Sequence, residues 1–95
     1  MFIREVFWRN RFIDKLLRRH NVTIEETEDV LFGSKHVLRI EKGKIKGEDV
    51  FEAFGQTQGG RFLVVFFINK SGAAMPISAR EMTKSERRYY EGHKK

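Results

Sequence analysis

Two apolar runs, Phe62–Ile68 and Ala73–Ala79, joined by Asn69-Lys70-Ser71-Gly72, constrain this chain more than any other feature. Polar turn residues between β-branched and aromatic runs specify a hairpin. A third run, Phe51–Thr57, precedes them across Gly59-Gly60 and pairs in the same way. Turns centred on Gly59 and Ser71 set a register. One face then collects Phe51, Ala53, Gly55, Leu63, Val65, Phe67, Ala73, Met75, Ile77 and Ala79. It carries no charge and is expected to be the core side. The other face collects Glu52, Phe54, Gln56, Phe62, Val64, Phe66, Ser78 and Arg80. Rings mixed with polar groups fit a partner surface, and equally a face covered by a second helix. A slip of one residue would exchange the two faces.

Ninety-five residues form one domain, spanning 1–95. The chain has no cysteine, which excludes disulfides and thiolate metal sites and fits a reducing cytoplasm. His20, His36 and His93 lack metal-ligand spacing, so neither metal nor cofactor is expected. The first residues show no signal-peptide pattern, and no apolar run is long enough to span a bilayer. The expectation is a cytoplasmic protein without a membrane partner. A net charge of +6 is compatible with RNA or DNA, an acidic protein or an anionic membrane surface. The cations crowd the two ends, Arg4 to Arg19 and Lys84 to Lys95, around an acidic island at Glu25, Glu26, Glu28 and Asp29.

In chain order, Phe2–Trp8 reads as a strand and Asn10–His20 as a helix stopped by a left-handed Asn21. Thr23-Ile24-Glu25-Glu26 is a capping box that opens a second helix, closed by Gly33 near Phe32. Val37–Glu41 is a short strand, followed by a basic loop with Lys44 and Lys46. This loop lacks the glycine–lysine pattern of a nucleotide site, so it reads as a hairpin tip or a phosphate-touching loop. Thr83-Lys84-Ser85-Glu86 is a second capping box, starting a terminal helix to about Glu91 that Gly92 ends. The order predicts an α+β fold: a mostly antiparallel sheet with two N-terminal helices and one C-terminal helix.

A series of residues runs through the chain in order: Trp8…Lys15…His20-Asn21-Val22-Thr23-Ile24-Glu25-Glu26, Gly47-Glu48, Gly55…Gly60-Arg61…Val64-Val65, and Ile77-Ser78-Ala79-Arg80…Glu86-Arg87…Tyr90. Together, from about Phe7 to Glu91, they resemble the BrnT family. The resemblance implies a small toxin of a type II toxin–antitoxin module with a RelE-like ribonuclease fold. It implies a metal-independent endoribonuclease that blocks translation and is neutralised by a cognate BrnA-like ribbon-helix-helix antitoxin. The family's site positions match His20, Arg61, Ser78 and Arg80. Two departures stand against them: Asp49-Val50 and Met75-Pro76 occupy places where members often carry an arginine.

Metal-free RNA cleavage needs a proton-transfer group, cations for the phosphorane and a proton for the leaving oxygen. His20 titrates in the right range. Arg61 and Arg80 offer planar forks for phosphate, and Ser78 a hydroxyl to orient it. Lys44, Lys46, Arg87 and Tyr90 are candidates for contacting RNA. Glu52, Phe54, Phe62 and Phe66 are candidates for docking an antitoxin or a second copy of the chain. Each has a plainer reading. His20 extends a helix stripe, Arg80 pairs with Glu86 or Glu52, and Tyr90 packs on the sheet. A non-catalytic RNA- or partner-binding module of the same fold is the alternative. A DNA-binding regulator is disfavoured, because the second helix is acidic where a reader helix is basic.

Overall fold

The protein is described here by a computed structural model covering residues 1–41 and 48–94. Among these residues the elements run β1 (Glu5–Val6), α1 (Asn10–His20), α2 (Ile24–Phe32), β2 (Lys35–Glu41), β3 (Val50–Gln56), β4 (Phe62–Lys70), β5 (Ala73–Glu81) and α3 (Lys84–His93). The strands form one sheet in the order β1-β5-β4-β3-β2. Every neighbouring pair is antiparallel except β1 with β5. The α+β class with a mostly antiparallel sheet is therefore the one expected. No helix among the described residues is long and apolar enough to cross a membrane.

Local sequence signals place the helices. Asn21 ends α1 in the left-handed conformation at φ 52°, tolerated there because its short amide relieves the strain. Both capping boxes form: Thr23 accepts from the Glu26 amide, and Thr83 from the Glu86 amide, each glutamate reaching back to its threonine. α3 runs to His93, so Gly92 lies within the helix rather than ending it.

The strand expected over Phe2–Trp8 shrinks to two residues. Its amides meet β5 only briefly, Arg4 donating to the Gly72 carbonyl at 2.8 Å and Phe7 to Ala74 at 2.7 Å. Phe2 and Phe7 stand exposed on either side. β3 and β4 pair as the glycine turn predicts, Phe51 with Phe67 and Gly55 with Leu63.

The β4–β5 register departs from expectation. The loop is the two-residue turn Ser71-Gly72, with φ of 53° and 89°, so its centre falls between the residues and not on Ser71. Pro76 therefore pairs with Phe67 and Met75 with Ile68. Further on, Ser78 pairs with Phe66 and Ala79 with Val65, leaving Ile77 as an extra, bulged residue. Two one-residue shifts thus cancel in parity. Ala79 faces the core and Ser78 and Arg80 face away, as expected. Ala73, Met75 and Ile77 do not form the core line; Ala74, Pro76 and Ala79 do.

The molecule has three layers. On one face, Leu16, Val22, Val30 and Leu31 pack on Ala53, Leu63, Val65, Phe67, Ala74 and Ala79. α2 approaches β3 so closely that a Cβ on Gly55 would lie 2.9 Å from Val30 Cγ1. On the other face, Phe54, Val64 and Tyr90 are buried together, with Leu38, Phe62, Phe66, Met82 and Tyr89 around them. α3 therefore covers part of the mixed face. Burying a ring such as Phe54 there is worth roughly 1.5–3 kcal/mol.

Candidate functional site

Strand alternation puts Ser78 and Arg80 on the α3 side of β5. The thread of β5 ends at Glu81, and the Thr83 cap turns the chain into α3 at once. That turn brings Glu86 back over Arg80. Arg80 Nη1 donates to Glu86 Oε1 at 2.6 Å and Nη2 to Oε2 at 2.8 Å. Nη1 also donates to the Glu81 carbonyl at 3.2 Å. The guanidinium lies over the Phe66 ring, 5.5 Å from its centroid. The fork is thus filled by a carboxylate of the same geometry as a phosphate edge. Arg80 holds the Glu86 carboxyl down at about 2, against the opposing effect of burial.

Arg61 is equally engaged. Its Nη1 donates to the Asn21 carbonyl at 2.8 Å and to both Glu26 oxygens at 2.9 and 3.0 Å. Its Nε and Nη2 donate to Glu81 Oε1 at 3.2 and 2.9 Å. One side chain ties the end of α1, the start of α2 and the end of β5. Burial works to raise the Glu26 carboxyl, but the Thr23 amide and Arg61 outweigh it and hold it below the usual carboxylate range. His20 is the last residue of α1, directly before the Asn21 carbonyl that Arg61 grips.

The four family-matched positions therefore divide. His20 and Arg61 sit at the α1/α2 layer, and Ser78 and Arg80 at the α3 layer, with Glu81 between the two arginines. Its carboxylate takes Arg61, and its carbonyl takes Arg80.

The remaining candidates divide too. Lys44 and Lys46 lie outside the described residues. Arg87 is exposed over Phe62, 3.9 Å from the ring centroid, and pairs with Glu91. Tyr90 is only 4% exposed and packs edge-on against Phe62. That favours the packing reading of Tyr90 over an RNA-contacting one: its ring is buried against Phe62. Phe54, 3% exposed, is likewise interior and not a docking residue, because α3 lies over it. Phe62, Phe66 and Glu52 are half-buried at the margin of that cover.

Two further arrangements stand on this face, the first not apparent from sequence. His36 Nε2 and the Tyr89 hydroxyl lie 2.8 Å apart, and the His93 ring lies tilted against both side chains. This cluster fastens the end of α3 to the edge strand β2, beside an open cavity of about 650 Å³. Burial pushes the His36 imidazole down, and His93 adds to the effect. A spacing of 53 residues hid the contact. The second is Glu52, on β3 opposite Phe66 and Leu38. Burial pushes its carboxyl up, Glu86 adds to the rise and Arg80 offsets part of it.

Known proteins share this architecture. The crystal structure of the ribonuclease toxin BrnT from Brucella abortus superposes with a TM-score of 0.62. The match covers 84% of this chain and 97% of that one, at 18% sequence identity, and shows a common fold. Comparison with curated proteins gives no match. The model of the family described as the BrnT ribonuclease toxin of type II toxin–antitoxin systems matches residues 8–86. That segment holds α1 through the start of α3, with His20, Arg61, Ser78 and Arg80 inside it, and the chain belongs to the BrnT toxin family.

Proposed function

We propose that the protein is an endoribonuclease toxin that cleaves RNA without a metal ion, blocks translation and is neutralised by a cognate antitoxin. The family match over residues 8–86 carries this reading. The α3-side face is its site: Arg80 binds the scissile phosphate and Ser78 orients it. Arg61 ties Glu81, next to Arg80, to the start of α2, and His20 stands beside that clamp. RNA must displace Glu86 from the Arg80 fork to use it. The antitoxin, a BrnA-like ribbon-helix-helix protein, covers the same face.

The test is purified protein incubated with single-stranded RNA in excess EDTA. Cleavage there supports the reading. Cleavage that appears only on adding a divalent ion overturns the metal-free mechanism. One observation favours a second reading, a binding module without turnover: both arginine forks are filled by carboxylates of the chain itself. A folded protein that binds its antitoxin but leaves RNA intact, with and without divalent ions, establishes that module instead.

A further inference from the structure

We propose that Glu52 is the general base of the Ser78–Arg80 face, taking the 2′-hydroxyl proton of an RNA strand laid across it. The inference rests on the ribonuclease reading above and assigns that reaction a group the family positions do not supply. His20, the matched titratable residue, belongs to the opposite layer. The α3-side face must provide its own proton acceptor.

The carboxylates near that face separate by what they already hold. Glu86 is taken by Arg80 and by the Thr83 amide. Glu81 takes Arg61. Glu52 forms no ion pair or hydrogen bond among the described residues, although it feels both Glu86 and Arg80. Its position suits the task. Glu52, Phe66 and Ser78 form one row across β3, β4 and β5. Two strand spacings, about 10 Å, separate the backbones at the ends of the row. Phe66 stands between them, so a ribose and its phosphate would lie over that ring, with the carboxylate on one side and the Ser78–Arg80 pair on the other.

The surroundings tune the group. Phe66 on one neighbouring strand and Leu38 on the other half-bury it, while α3 contributes the repelling Glu86 and β5 the attracting Arg80. A carboxyl raised in this way is a stronger base than an exposed one. In the reaction, a Glu52 oxygen accepts the 2′-hydroxyl proton as the bond from O2′ to phosphorus forms. The bond from phosphorus to the 5′ oxygen breaks, and that oxygen takes a proton from water. Glu52 returns its proton to solvent. The products are a 2′,3′-cyclic phosphate and a 5′-hydroxyl, with atoms and charge balanced.

The experiment compares wild type, Glu52→Gln and Glu52→Asp on single-stranded RNA from about pH 5 to pH 9. General-base loss costs on the order of 10²-fold or more, so Glu52→Gln should lose that much kcat with KM little changed. Its acid limb in kcat/KM should disappear, and Glu52→Asp should restore part of the rate. Glu52→Gln cutting at the wild-type rate with the same acid limb overturns the inference and leaves the ribonuclease reading standing. An inert wild type overturns the reading itself, and the inference with it. Should Glu52→Gln fail to fold, carbon NMR of the wild-type Glu52 carboxyl decides. Its titration must coincide with the acid limb of the rate, and a mismatch overturns the assignment.

Discussion

At the scale of single residues, Arg61 does more for the fold than its place in a site motif suggests. Each of its nitrogens has a partner in another element. Arg61→Ala leaves Glu26 and the Asn21 carbonyl short of a donor, so it should cost about 1–3 kcal/mol in urea unfolding. Arg61→Lys should recover little of that, since one ammonium cannot serve three elements. The Arg80–Glu86 pair makes a pH prediction. Glu86 titrates at about 2 when folded, against an ordinary 4.5. A lowered carboxyl contributes stability that is full above its unfolded value and is lost as pH falls through its folded value. Wild type should therefore lose roughly 1–2 kcal/mol more than Glu86→Gln between about pH 5 and pH 2, the solvent-facing pair being partly screened. Unfolding midpoints across that window check it. The pairing of Ser78 with Arg80 on one face was legible, because a strand has period two. Arg61's grip on Glu26, across 35 residues, was not, because no local rule links them.

At the scale of elements, what was legible is what is local. Both capping boxes and the left-handed Asn21 follow from a few adjacent residues. The β3–β4 register follows from its glycine turn. The β4–β5 register does not, because a turn of two residues and a bulge each shift it by one. Gly72 tests the turn. At φ 89° it occupies a conformation that side chains avoid, and an added Cβ would lie 2.9 Å from Arg4 Nε. The Arg4 side chain can swing away, so the backbone strain decides. Gly72→Ala should cost about 1–2 kcal/mol. Gly59→Ala is the control, since its nearest neighbour lies 3.8 Å away and its backbone is unstrained. Thermal melting of the two variants should separate them by several degrees.

At the scale of the whole molecule, three layers set a helical core on one face of the sheet and α3 partly over the other. Composition forecast a single domain but could not say where the last helix lies. Phe54 could be read either as a docking ring or as one covered by a helix, because its cover comes from a distant element. The basic ends survive as exposed charge, Arg11, Arg18 and Arg19 on α1 and Lys84 and Arg88 on α3. An acidic antitoxin should therefore associate faster at low salt, its rate falling about tenfold on passing to high salt with a smaller change in dissociation. Stopped-flow mixing measures both. The bulge at Ile77 bears on how this gene can change in length. Because Pro76 pairs with Phe67 and Ser78 with Phe66, Ile77 is a spare residue in an otherwise continuous ladder. A chain lacking it should close the ladder and still aim Ser78 and Arg80 toward α3. Removing Val65 from β4 instead should invert the strand beyond it. The Ile77 deletion should stay folded and keep RNA cleavage, while the Val65 deletion should lose both. This strand has one residue of slack, placed just ahead of Ser78 and Arg80, the pair proposed to bind phosphate.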